Sequence, residues 1–218
     1  MKKLLALLMA LVMVFTFAAC GTNNGDIRGE QTGGESSEAE FSLGSASGLT
    51  YESKFIGIGC KLDEGWTFYT DAQIKELNNV AEDMAGEEYS EAMKNATVVY
   101  DMYAVSGNQT DNISVNLEKA NAVQLLTLDI AKNFEAVYPT LKTSLENIGC
   151  TDVNYTLGKV TIGGKEFDCM DVTSKINGIA MYQKLVAKKC NGYLANITIT
   201  TVNEDATDDI IAKFYLVK

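Results

Sequence analysis

Three dipeptides, Gly163-Gly164, Asn177-Gly178 and Asn191-Gly192, recur at equal intervals in the last third of the chain. They constrain the fold more than any other feature. Each is a pair of residues that tolerates the positive φ angles of a two-residue β-hairpin loop. They divide residues 153–202 into four segments of strand length. Residues 153–202 are therefore expected to form a four-stranded antiparallel meander. Counting outward from two-residue loops sets the register. Ile176 should face Ile179, Cys169 should face Val186, Val186 should face Ile197, and Gly158 should lie beside Cys169. Side chains alternate along a strand, so Gly158, Cys169, Val186 and Ile197 would form one buried stripe. Leu157, Met170 and Leu185 would face the opposite way. Apolar residues on both faces imply a cover on both sides, expected here to be helices.

The remaining elements follow from period and punctuation. Ile56, Ile58, Cys60 and Leu62 alternate with Gly57, Gly59 and Lys61, which reads as one strand over residues 51–62. A turn at Asp63-Glu64-Gly65 leads into an extended stretch from Trp66. Asp71 is expected to cap a helix of about 14 residues carrying Ile74, Leu77, Ala81 and Met84 on one face, ended by Gly86. A short polar helix follows at residues 87–94. Residues 97–105 and 112–117 read as two strands joined at Gly107-Asn108. Ile130, Phe134, Val137, Leu141, Leu145 and Ile148 recur at helical spacing, with Gly149 as the stop. Pro139 falls inside this helix and is expected to kink or interrupt it. Asp205 would cap a last short helix through Ile210, Ile211 and Phe214.

The N-terminus has a different character. Met1-Lys2-Lys3 is followed by an apolar run over residues 4–17 and then by Phe17-Ala18-Ala19-Cys20. A run of about 14 apolar residues is shorter than the roughly 20 needed to span a bilayer as a helix. A positive start, short apolar core and small-residue cut site make the layout of a secretory signal peptide. With a cysteine at the cut, the segment resembles a bacterial lipobox. That resemblance implies cleavage before Cys20 and lipid attachment at Cys20. Residues 1–19 are thus expected to be a lipoprotein signal peptide. Residues 20–48 would be the lipidated cysteine and a disordered Gly/Ser/Glu tether, because their composition cannot bury a core. Residues 49–218 would be a single globular domain. The expected location is extracytoplasmic, on the outer face of the cytoplasmic membrane, held through the N-terminal lipid only.

Composition narrows the chemistry. The chain carries 29 acidic against 18 basic residues, a formal charge of −11 that deepens if Lys2 and Lys3 are removed with the signal peptide. Such a surface repels phosphate backbones, so nucleic acid is not an expected partner. Histidine is absent, which rules out Ser-His-Asp and Cys-His nucleophilic arrangements and His-based zinc sites. No Ser-x-x-Lys occurs either. Cys60, Cys150, Cys169 and Cys190 form no C-x-x-C pair. Two disulfides would be permitted outside the cytoplasm, but Cys60 and Cys169 lie in apolar strand patterns, which favours buried free thiols.

Candidate sites are few, and each has a structural explanation. Trp66 after Gly65 could be an aromatic ligand platform, although packing of the strand edge explains it as well. Tyr100, Tyr103, Tyr182 and Tyr193 fall in strands and could line one face. Glu82-Asp83 with Glu87-Glu88 lacks calcium-loop spacing. Asp205, Asp208 and Asp209 suit the positive end of a helix. No metal, cofactor or catalytic residue is expected.

The element order, together with Phe55-Ile56-Gly57-Ile58-Gly59-Cys60-Lys61-Leu62-Asp63-Glu64-Gly65-Trp66, resembles the PsbP-like fold group. That group includes the DcrB-type bacterial lipoproteins and a eukaryotic Ran-binding branch. Asp63 stands where its opening Pro-x-Gly-Trp has proline. The resemblance implies an α+β fold, an α/β/α sandwich around a central, mostly antiparallel sheet of about six to seven strands. It also implies an accessory or docking role without catalysis. The expected function is a lipid-anchored, non-catalytic envelope protein that docks on an envelope partner or holds a small ligand. A carboxylate-based cell-wall glycan hydrolase is the competing expectation, with a small-ligand-binding accessory lipoprotein beside it.

Overall fold

The structure, a computed structural model, describes residues 41–79 and 86–217. Its centre is the meander. Strands β7 (Cys150–Ile162), β8 (Lys165–Ile176), β9 (Ile179–Cys190) and β10 (Tyr193–Val202) pair in sequence, all antiparallel. Asn177 and Gly178 sit at φ 52° and 80°, and Asn191 and Gly192 at 36° and 81°, as the tight loops require. The stripe forms in the expected register: Gly158 lies opposite Cys169, Cys169 opposite Val186, and Val186 opposite Ile197. Three further strands, β4 (Trp66–Phe68), β5 (Val98–Ser106) and β6 (Asn112–Lys119), complete a seven-stranded sheet of order β4-β5-β6-β10-β9-β8-β7. The fold is mixed α+β.

Each face of this sheet carries its own apolar cluster. On one, helix α4 (Ile130–Asn147) lies across β7 and β8 and buries Phe134, Leu141 and Leu145 against Met170, Val172 and Leu185. Asp129 caps it, its carboxylate accepting from the Lys132 N–H at 3.1 Å. Short α3 (Ala122–Thr127), which the sequence does not announce, precedes it and contributes Leu125 to the same cluster. Pro139 does not interrupt α4, which runs unbroken for 18 residues. Both Pro139 and Glu135 are exposed, so the missing helical hydrogen bond falls on the solvent side of the helix, where its loss costs least.

The opposite face is covered mainly by a second sheet, and here the expected all-helical cover is corrected. Strands β1 (Ser45–Ser47), β2 (Thr50–Ser53), β3 (Ile58–Lys61) and β11 (Phe214–Leu216) form a four-stranded sheet in the order β1-β2-β3-β11. Tyr51, Ile58, Cys60 and Phe214 pack against Val115, Cys169, Val186 and Ile197. Helices α2 (Gly86–Asn95) and α5 (Thr207–Ile211) add Met93, Ile210 and Ile211 to this layer. Burying each large aliphatic side chain contributes roughly 1.5–3 kcal/mol.

The second sheet exists because residues 51–62 fold back instead of running as one strand. The Gly57 N–H donates to the Ser53 carbonyl at 2.8 Å, and Gly57 takes φ 71°, so a tight turn separates β2 from β3. Phe55 and Ile56 are buried within that turn, so the apolar pattern continues through it and conceals the break. Phe214, expected in the last helix, lies in β11 opposite Cys60. The folded part also begins before residue 49. Phe41 and Leu43 pack on the core and residues 45–47 form β1, so this stretch belongs to the domain and not to the tether.

Helix α1 (Asp71–Leu77) is shorter than expected and is capped by Thr70 instead of Asp71. Thr70 and Gln73 form a capping box. Ala81 and Met84 lie outside the described residues, as do residues 1–40, on which the expected signal peptide, Cys20 and most of the expected tether fall. Among the described residues, no helix is long and apolar enough to cross a membrane.

Candidate functional site

Strand β5 reads Val98-Val99-Tyr100-Asp101-Met102-Tyr103-Ala104, an apolar run with one carboxylate in it. The structure accommodates that residue with a β-bulge. Tyr100 pairs with Asn116 and Met102 with Val115, leaving Asp101 as the extra residue. A bulge disrupts pairing locally and re-aims a side chain. Asp101 is 5% exposed, and both its oxygens are engaged. Oδ1 accepts from the Gly44 N–H at 2.6 Å, and Oδ2 accepts from the Tyr51 hydroxyl at 2.6 Å. Burial raises the Asp101 carboxyl above its ordinary range, against the pull of Tyr51, Gly44 and Ser53. Burial, then the Asp101 charge, holds the Tyr51 phenol well above its ordinary value. Gly44 is required by space, because a Cβ there would stand 2.5 Å from Tyr51 Cε2.

Asp101 and Met102 form part of the lining of a partly open cleft of about 330 Å³. Its other walls come from the entering chain, two helices and three tyrosines. The entering chain supplies Leu43, Gly44 and Ala46. Helix α1 supplies Asp71, Ile74 and Lys75, and α2 supplies Gly86 and Tyr89. Tyr51, Tyr69 and Tyr103 line the remainder. The cleft sits beside β5 where β4 has ended, its last pair being Phe68 with Ala104. Two devices close that open edge. The Tyr69 N–H donates to the Tyr103 carbonyl at 2.8 Å. The Asn78 amide then substitutes for a strand: its Nδ2 donates to the Tyr100 carbonyl at 2.9 Å, and its Oδ1 accepts from the Tyr100 N–H at 2.7 Å. This clamp fixes the C-terminal end of α1 and with it one wall of the cleft.

The cleft combines tyrosine surface with carboxylates. The Tyr69 and Tyr103 rings lie 4.7 Å apart between centroids at 53°. Lys75 Nζ stands 5.2 Å from the centre of the Tyr89 ring, within range of a cation–π contact. The Tyr89 phenol is raised by burial, lowered by its contact with Asn78, and raised again by the charges of Asp71 and Asp101. Burial likewise raises Tyr69 and Tyr103. The tyrosines are therefore neutral hydroxyls, set beside the carboxyl groups of Asp71 and Asp101 and the amine of Lys75. Among the described residues, no cluster of three or more metal-ligating side chains occurs.

Other polar groups hold the fold together. The Lys184 ammonium, 6% exposed, meets Asp171 and lies 3.2 Å from Asp208. Burial lowers its pKa, but the two carboxylates outweigh that and the net shift is upward. This pair ties α5 to β9. Lys188 donates to the Ile56 carbonyl and Asn191 to the Phe55 carbonyl at 2.9 Å, pinning the β2–β3 turn. Cys60, Cys150, Cys169 and Cys190 are free and buried. Burial pushes Cys60 up to about 12 and Cys190 up to about 11, so both remain protonated and unreactive.

The residues singled out in the sequence do not gather into one site. Trp66 is half-buried in β4 opposite Ser106, packed on the core and absent from the cleft lining. Of the four strand tyrosines only Tyr103 lines the cleft. Tyr193 packs with Phe41 and Phe55 at 5.4 and 5.5 Å, and Tyr182 lies on β9 between Thr173 and Thr201. Glu87 and Glu88 are exposed in the first turn of α2, and Glu82 and Asp83 lie outside the described residues. Asp205, expected as the cap, accepts from the Thr207 N–H at 3.1 Å but stands one position before the N-cap, which is Ala206. Sequence reasoning passed over Asp101, Tyr51, Tyr69 and Tyr89. One signal was available for Asp101: a carboxylate inside an apolar strand is costly to bury without a purpose.

No family model matches the sequence, and no curated protein matches it. Among solved structures, the chain is similar to LpqN of Mycobacterium tuberculosis, described as involved in cell envelope biogenesis. The TM-score is 0.41 at 12% identity, over 74% of this chain and 83% of that one. It is also similar to a protein of Bacteroides thetaiotaomicron VPI-5482, with a TM-score of 0.39 at 16% identity over 78% of this chain. The match spans 49% of that second protein, about half its length.

Proposed function

We propose that this chain is a lipid-anchored, non-catalytic binding protein of the bacterial envelope, and that it takes its ligand or partner in the tyrosine-lined cleft. The observation that carries this reading is the bulged, buried Asp101 at that cleft. The fold spends a strand irregularity and a buried carboxylate there, which core packing alone does not require. The segment that walls the cleft at Leu43, Gly44 and Ala46 is continuous with the chain leading back to Cys20, the expected lipid site. The order of elements supports reading the architecture as PsbP-like, with a small sheet replacing much of one helical layer.

The test is photo-crosslinking in living cells with the full-length protein, placing the photoreactive side chain either at Tyr69 in the cleft or at Ile179 on β9. The reading expects one reproducible adduct from Tyr69 and none from Ile179. Identical adducts from both positions, or none from Tyr69, would overturn it. Cys20→Ser should release the protein from the membrane fraction.

A second reading has one observation in its favour, since Asp71 and Asp101 both line the cleft. A pair of carboxylates is what a glycan hydrolase needs. Against it, both Asp101 oxygens already accept hydrogen bonds from the fold. Digestion of purified cell-wall glycan that is lost in both Asp71→Asn and Asp101→Asn would establish this reading in place of the first.

A further inference from the structure

Resting on the cleft reading, we infer that the ligand this cleft selects is an organic cation, a molecule or segment presenting a primary ammonium group. The Asp101 carboxylate is bound by neutral donors, the Gly44 N–H on one oxygen and the Tyr51 hydroxyl on the other, with the Ser53 hydroxyl also acting on it. A carboxylate oxygen can accept more than one hydrogen bond. Asp101 therefore retains acceptor capacity, and the groups that bond it, Gly44, Tyr51 and Ser53, carry no positive charge. Asp71 adds a second carboxyl group on the lining.

The walls suit the same chemistry. Tyrosine rings attract a cation through their faces, and burial of the site strengthens that attraction. The fold supplies an example, because the Lys75 ammonium lies 5.2 Å over the Tyr89 ring. A cation is thus already accommodated on this wall, and an incoming ammonium group would compete with Lys75 for it. The long-range field agrees. A formal charge of −11 attracts cations to the surface and repels anions. A neutral sugar would use the tyrosines but gain little from the carboxylates, so it is the alternative the test separates.

The test is calorimetric titration of the full-length lipidated protein with cadaverine, against pentanediol of the same chain length. Cadaverine should bind saturably, and pentanediol roughly tenfold or more weaker, since it lacks the charge. Lys75→Met should tighten cadaverine binding several-fold by removing the resident ammonium, a gain that loss of structure cannot mimic. Asp71→Asn, exposed and outside the core, should weaken it several-fold with an unchanged unfolding midpoint. Equal binding of diol and diamine, no cadaverine binding, or weakening by Lys75→Met would each overturn the cation assignment. If the Tyr69 crosslink persists in those cases, the cleft stands and only its ligand class falls. If the Tyr69 crosslink is absent as well, the site itself falls.

Discussion

The β8–β9–β10 region and the β5 edge belong to the same sheet but are built differently. In the first, two-residue turns join strands whose pairing runs from Ile176 with Ile179 to Cys169 with Val186, and from Tyr193 with Cys190 to Val202 with Met181, without a shift. Its interior stripe is apolar. At β5 the ladder breaks at Asp101, and the edge is closed by the amide of Asn78. The regular region depends on contacts between chain neighbours. The irregular one depends on Gly44 and Asp101, 57 residues apart, and on Asn78 and Tyr100, 22 apart. The contrast separates stability from the proposed binding: the meander holds the molecule together, and the β5 edge creates a cavity.

Mutations can break that contrast in order of effect. Ile197→Ala, in the stripe and 1% exposed, should lose about 2–5 kcal/mol by leaving a cavity. Urea unfolding measures this, and a loss under about 1 kcal/mol would show that the stripe is not the core. Gly163→Ala should follow at about 2–3 kcal/mol, combining left-handed strain with overpacking. Its Cβ would stand 2.8 Å from Leu216 Cγ at φ +54°, so the loss should be accompanied by undocking of β11. Gly178→Ala isolates the turn term. That glycine takes φ +80° with nothing within 4 Å of a Cβ, so about 1 kcal/mol is expected. Equal losses at the two glycines would mean that contact with Leu216 contributes nothing.

Asp101→Asn sharpens the other side of the comparison. The Tyr51 hydroxyl can accept as well as donate, so an amide retains both contacts and the loss at neutral pH should stay below about 1 kcal/mol. The pH slope is the diagnostic. With its pKa raised by burial, Asp101 stays protonated in the folded state above the pH at which it ionises in the unfolded chain. The folded state then binds more protons, and this group's contribution to stability falls as pH rises through its raised pKa. Unfolding free energies measured from about pH 4 upward should show that decline in the parent and not in Asp101→Asn. Parallel slopes would exclude an ionising Asp101. The smallest change concerns the thiols. Cys60, Cys150, Cys169 and Cys190 should resist alkylation in the native state and all react in urea, as read by mass. Native labelling of Cys60 would contradict its burial.

The amino-acid sequence by itself determined the meander and its register. Asn-Gly and Gly-Gly loops select hairpins through backbone sterics, and a period of two then places Cys169, Val186 and Ile197 on one face. It also determined α4, whose apolar spacing outweighs Pro139 because that proline lies on the solvent side. Tertiary structure alone decided the small sheet, since Gly57 could have continued a strand as readily as turned it. The cleft belongs to tertiary structure for the same reason. Nothing local connects Gly44 to Asp101 or Asn78 to Tyr100, and a buried carboxylate is tolerable only where distant donors arrive to meet it.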